Sequence, residues 1–128
     1  MENNVKILLI DDDPELNKAN RCIFEVYHYT VFTATTLMEA HRLIDEAHPD
    51  IIIMEVELPD GNGFVFCKEI SGKTEAEILF LTANTEQKDM LRGLKLGAAY
   101  ITKPFRSPEL IARVEAVARR QKGTLLRG

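Results

Sequence analysis

The chain lacks most features that would mark it for a special environment. It has only two cysteines, Cys22 and Cys67, too few and too far apart for a disulfide framework or a zinc site. Both fall among apolar helical residues and read as core packing in a reducing cytosol. No apolar run approaches the roughly 18 residues of a membrane span. The N-terminal MENNVKILLIDDD has no basic n-region and no long h-region, so it does not read as a signal peptide. A basic excess is missing too. Lys plus Arg is 16 against 20 Asp plus Glu, a net charge of −4, which argues against direct nucleic-acid binding. There is no internal repeat and no low-complexity segment. What remains is 128 residues, 45% hydrophobic and 28% charged. That is the profile of one ordinary cytoplasmic domain with no membrane contact.

Short apolar runs alternate with helical periods along the chain. VKILLI at 5–10 ends at three aspartates and reads as a buried strand. Asp13 then caps a helix that Pro14 opens, with Leu16, Ala19, Ile23, Val26 and Tyr27 at helical spacing. TVFTAT at 30–35 is β-branched and short, a second strand. Thr36 and Glu39 form a capping box ahead of Ala40, Leu43, Ile44 and Ala47. IIIM at 51–54 is a third strand, and residues 58–63 read as a loop on turn chemistry. Residues 64–70 form a short helix, and ILFL at 78–81 a fourth strand. Asn84 can cap a helix through Leu96, and residues 99–101 form a fifth strand. A last helix starts at Ser107-Pro108, and residues from Gln121 look like a tail. Five βα units whose strands are apolar on both faces predict a doubly wound α/β fold around a parallel sheet.

Ligands of such a sheet bind at the carboxyl ends of its strands. The first strand ends at Asp11, Asp12 and Asp13, the third at Glu55 and Glu57, the fourth at Thr82, the fifth at Lys103-Pro104. Asp13 is assigned to helix capping. The other acids, gathered at one edge, repel one another unless a cation sits among them. Carboxylate and carbonyl oxygens suit Mg²⁺, and a hydroxyl with a lysine suits a phosphate-like anion. Taken singly, each feature has a plain reading: dipole-favoured acids at a helix start, a β-branched strand residue, a surface lysine.

Together these segments resemble the receiver domain of bacterial two-component response regulators, a CheY-like module. The resemblance rests on ILLIDDDP at 7–14, PDIIIMEVELPDGNGF at 49–64, LFLTA at 79–83 and YITKPF at 100–105. It implies a flavodoxin-like (βα)5 sheet with strand order 2-1-3-4-5, and a receiver over residues 1–122 followed by a tail or linker start at 123–128. It assigns Mg²⁺ to Asp11, Asp12 and the Glu57 backbone carbonyl. Thr82 and Lys103 would meet the phosphoryl group, Thr82 and Tyr100 would form the switch, and the Lys103-Pro104 bond would be cis. ARVEAVARR at 112–120 looks like the end of a receiver from a transcription regulator with a winged-helix output domain. The implied partners are a sensor histidine kinase and an output DNA-binding domain or protein partner.

The central position departs from the family pattern. Glu55 stands where the family has its phosphoaccepting aspartate, one methylene longer, with about 1.5 Å more reach. In-line attack tolerates little misplacement, since an error on the order of 1 Å can cost roughly 10²-fold in rate. A phosphorylation-independent or constitutively active-like switch is therefore expected rather than an enzyme. Weak Mg²⁺ binding, with Glu55 as a further ligand, competes with pairing of Glu55 to Lys103. The acidic residues that usually precede the tyrosine are missing at Gly97-Ala98-Ala99-Tyr100, which predicts a monomer. A haloacid-dehalogenase-like Mg²⁺-dependent phosphatase is the alternative, although Pro14 stands where that family needs a glycine. A nucleotide or flavin site is disfavoured because acids, not a Gly-rich loop, follow the first strand.

Overall fold

The structure is a computed structural model that describes residues 4–97 and 99–127, with side chains as far as Gln121. Its elements are β1 (Lys6–Ile10), α1 (Pro14–Val26), β2 (Thr30–Ala34), α2 (Leu37–Ala47), β3 (Ile51–Met54), β4 (Glu57–Leu58), β5 (Gly61–Asn62), α3 (Gly63–Ile70), β6 (Glu77–Thr82), α4 (Gln87–Leu96), β7 (Ala99–Thr102) and α5 (Ser107–Arg127). Five strands form a parallel sheet in the order β2-β1-β3-β6-β7, the doubly wound α/β arrangement expected.

Both faces of the sheet are covered. Ile7, Leu9, Ile51, Ile53, Leu79 and Leu81 pack with Phe24 of α1 and with Leu110, Val114 and Val117 of α5. The alternate residues Leu8, Ile10, Ile52, Met54, Ile78 and Phe80 pack under α2 and α3. This period-2 division explains why each inner strand reads as a continuous apolar run. No helix of the described residues is long and apolar enough to cross a membrane.

Several local features differ from the expectations. On α1 the buried residues are Asn17, Asn20 and Phe24, while Val26 is 73% exposed and Tyr27 45%. The helix is turned so that its amides face inward, because Asn17 has main-chain oxygens to bond there. Cys67 is buried, but Cys22 is exposed: it lies two residues from Phe24, roughly opposite on the helix. Asn84 does not cap α4, which starts at Gln87. Its side chain instead accepts from the Glu86 N–H at 3.0 Å in a local Asx turn. The segment from Gln121 is helical as far as Arg127, since it contains no proline to end α5; Gly128 lies outside the described residues.

The segment read as a loop at 58–63 contains a two-stranded antiparallel ribbon, β4 with β5. Strands of two residues leave no periodic trace in a sequence. The ribbon is tied to α2 by Asp60, whose carboxylate accepts the Leu37 and Met38 N–H groups at 2.8 and 3.0 Å. Thr36 accepts from the Glu39 N–H as the expected cap, while the Glu39 carboxylate accepts from the Thr35 N–H at 3.0 Å, one residue before the position a capping box uses. Thus the first turn of α2 holds the ribbon that follows Glu55. The Leu37 N–H bond keeps the Asp60 carboxyl below its usual range, against some desolvation, with the Met38 N–H adding to it. A lowered folded value means that its contribution is full above pH 3.8 and fades as pH falls through the folded value. Asp60→Ala is expected to lower the melting temperature at neutral pH. Melting curves of wild type and variant should converge in strong acid; a gap that persists there would contradict the capping role.

Candidate functional site

The site is built where β1 and β3 run side by side, with Ile10 opposite Met54. The next residues are Asp11 and Glu55, whose side chains therefore meet at the carboxyl edge of the sheet. The Asp11 N–H donates to the Ala34 carbonyl at 3.1 Å and the Glu55 N–H to the Ile10 carbonyl at 2.9 Å, so both backbones are pinned. Only 5% of Asp11 and 8% of Glu55 is exposed. Buried carboxylates need compensation. It comes from Lys103, whose Nζ lies 2.7 Å from Asp11 Oδ2 and 3.1 Å from Glu55 Oε1.

Lys103 is held by its own backbone. Its N–H donates to the Thr82 carbonyl at 2.8 Å, just past the end of β7, and the Lys103-Pro104 bond is cis as expected. Desolvation pulls the Lys103 ammonium down, but the hydrogen bond and charge of Asp11, followed by those of Glu55, hold its pKa above the ordinary value.

The remaining oxygens of both acids are engaged as well. Asp11 Oδ1 accepts from the Asp13 N–H at 2.9 Å, and Glu55 Oε2 from the Val56 N–H at 2.7 Å. Asp13 caps α1 through the Glu15 and Leu16 N–H groups. Asp12 and Glu57 are exposed, and neither is bonded into the cluster. The expected convergence of Asp11, Asp12 and Glu55 therefore holds for Asp11 and Glu55, with Asp12 outside it. As arranged, the two buried acids are bridged by an ammonium, and Asp12 with the Glu57 backbone carbonyl remain the further groups that would hold a divalent cation beside Asp11. Among the described residues no three acidic, histidine or cysteine side chains are grouped to hold one, and the Lys103 ammonium occupies the point where the two acids meet. Of the two expectations for Glu55, the structure shows the pairing with Lys103.

Thr82 is buried, and its Oγ1 accepts from the Asn84 N–H at 3.1 Å. Tyr100 donates its hydroxyl to the Asn84 carbonyl at 2.8 Å. The two expected switch residues thus meet at opposite groups of one residue, which the sequence marked only as a helix cap. The Tyr100 ring lies against Gly93, where a Cβ would collide with it. Burial first, then the charges of Asp89 and Glu55, push the Tyr100 phenol up to about 12. Asn17 is a further residue missed: its Nδ2 donates to the main-chain oxygens of Asp11 and Ala34. Its signal was an amide spaced seven residues from Phe24, in phase with the buried face.

Lys103→Met leaves two buried carboxylates facing each other. It is expected to lower unfolding free energy on the order of 3 kcal/mol at neutral pH, read by urea titration. Because the folded lysine pKa is raised, the wild-type advantage is full below pH 10.5 and declines as pH climbs through the folded value. A loss near zero at pH 7 would show that the ammonium is dispensable.

The arrangement has counterparts among known proteins. The response regulator receiver domain family matches residues 7–115. Regulatory protein VanR of Enterococcus faecium is 41% identical over 118 residues, 91% of this chain and 51% of that protein. A probable transcriptional regulator, ycf27 of Guillardia theta, is 36% identical over 121 residues, 94% of this chain and 48% of that protein. The chain thus spans about half the length of these curated relatives. A crystal structure of a two-component response regulator from Clostridium difficile superposes with a TM-score of 0.89 at 31% identity, covering 92% of this chain and 98% of that one. These likenesses are to signalling regulators and give the phosphatase alternative no support. With a family match over most of its length and the same fold at 31% identity, the chain belongs to the response regulator receiver domain family.

Proposed function

We propose that this domain is a conformational switch for an output domain or protein partner in cytoplasmic transcription regulation, and that it works without phosphorylation. Glu55 takes the acceptor position, residues 1–122 form the receiver, and the helix beyond them leads toward the part it controls. A sensor kinase is then a partner for recognition rather than a phosphoryl donor. The observation that carries this reading is the Lys103 bridge, 2.7 Å to Asp11 and 3.1 Å to Glu55. The pocket is compensated from within: each carboxylate oxygen of Asp11 and Glu55 accepts one hydrogen bond from the protein, and the positive charge comes from a side chain. Docking of the Tyr100 hydroxyl on Asn84 favours the version in which Glu55 keeps the switch engaged.

The decisive test is mass spectrometry after incubation with acetyl phosphate or phosphoramidate and Mg²⁺. The wild-type chain is expected to gain no phosphoryl mass. Glu55→Asp draws the carboxylate back by about 1.5 Å and reopens the space before Lys103, so this variant is expected to gain one phosphoryl group. Modification of wild-type Glu55 would overturn phosphorylation independence. A folded Glu55→Asp chain that stays unmodified would show that side-chain length is not what blocks the chemistry.

A further inference from the structure

The inner face of α1 carries two amides where a core-facing helix would ordinarily be apolar. Asn17 and Asn20 are each 4% exposed. The Nδ2 of Asn17 is committed to two main-chain oxygens, at 2.9 and 3.1 Å, while its Oδ1 accepts no hydrogen bond from the described residues. The Asn20 side chain makes no hydrogen bond with any of them. Yet no buried side-chain N or O atom of the described residues is both sealed off and unpartnered, so the Asn20 amide opens onto free space. Asn20 also lines a small chamber of about 10 Å³, together with Asp11, Asn17, Glu55 and apolar strand residues.

A chamber of this size takes about one water molecule, and a buried water is held when it finds two to four polar partners. Here they are present in complementary kinds. The Asn20 amide can donate, and Asn17 Oδ1 and the Asp11 and Glu55 carboxylates can accept. Each carboxylate oxygen with one protein donor retains a free lone pair. A cation suits the chamber less well, because only two acids line it and Lys103, which is not part of its lining, already offsets one of their two charges.

We propose that this chamber is a binding site for one water molecule, and that Asn20 acts through it as a positioning residue for the Glu55 and Asp11 carboxylates. Asn20 thereby steadies the acids in the orientation that Lys103 bridges. The inference stands on the packing of α1 and does not depend on whether Glu55 accepts a phosphoryl group.

A crystal structure of the wild-type chain at a resolution that shows ordered water is the direct test. One water is expected within about 2.7–3.2 Å of the Asn20 amide and of a carboxylate oxygen. A direct protein partner for Asn20, a chamber without density, or a cation with oxygen ligands at about 2.3–2.6 Å would each overturn the proposal. A double-mutant cycle reads the link in solution. Asn20→Leu fills the chamber, and Glu55→Met keeps length while removing every hydrogen bond. Coupling between them is expected to change the unfolding constant by about threefold or more, whereas independent sites stay within about twofold. Asn20→Ser, which keeps a polar group and room for water, is a control expected to leave the effect of Glu55→Met unchanged, and Asn20→Ala, which removes the amide without filling the chamber, takes the place of Asn20→Leu in the cycle if that variant fails to fold. Additive effects in the cycle would leave Asn20 as packing alone and sink the positioning role.

Discussion

Two carboxylates brought together at the ends of adjacent strands cannot both be buried without a positive partner, and much of this domain is arranged around that requirement. Parallel pairing of β1 with β3 sets Asp11 beside Glu55. The partner must then come from elsewhere in the sheet, and the order β2-β1-β3-β6-β7 brings the chain to Lys103 after β7. The lysine side chain spans the carboxyl end of β6 to reach both acids, and its main-chain bond to Thr82 anchors the base of that reach. Asp11 also organises its surroundings through its other atoms. Its Oδ1 positions Asp13, which caps α1, and its carbonyl receives Asn17 from the next turn of that helix. The start of α1 and the end of β2 are therefore tied to the same residue that carries half of the acidic pair.

From this centre two connections run outward. One passes along the chain from Glu55 into the β4–β5 ribbon, which Asp60 binds to the first turn of α2. Gly61, at φ +156°, lets the ribbon approach Leu37 where a Cβ would lie 2.8 Å from its Cδ1. The other connection passes through Asn84. Its N–H is fixed by Thr82, its carbonyl by Tyr100, and its side chain reaches Asp89 on α4. Thr82 belongs to the sheet edge, while Tyr100 and α4 lie toward the surface. Thr82 and Tyr100 are thus linked through the backbone of a single residue, and Gly93 keeps room for the ring.

The fold and the centre of the site were legible in the sequence because both follow from strong, local signals. Strands buried on both faces show as apolar runs, and Asp13-Pro14 and Thr36 with Glu39 mark two helix starts chemically. The rule that ligands gather at strand ends was enough to collect Asp11, Glu55, Thr82 and Lys103. It could not tell Asp11 from Asp12, since adjacent residues leave a strand in different directions and only the packing decides which is buried. The amphipathic pattern failed on α1 for a related reason. Asn17 and Asn20 look like solvent residues until the main-chain oxygens and the polar chamber they face are known. Asn84 looked like a helix cap, because the same short amide serves an Asx turn equally well.

On the proposed reading, in which Glu55 holds the acceptor position, the length of its side chain matters for the contacts it permits. Its carboxylate reaches Lys103 at 3.1 Å with one oxygen and folds back to the Val56 N–H at 2.7 Å with the other. Both donors lie within the protein, so the charge of Glu55 is answered by groups that are always present. A shorter side chain could not span the same two donors without moving the backbone, and the backbone is fixed by the bond from Glu55 to Ile10. Compensating a site from within removes its dependence on incoming charge. On the proposed reading, control of this domain therefore falls to the bonded groups beside the site, Thr82, Asn84 and Tyr100.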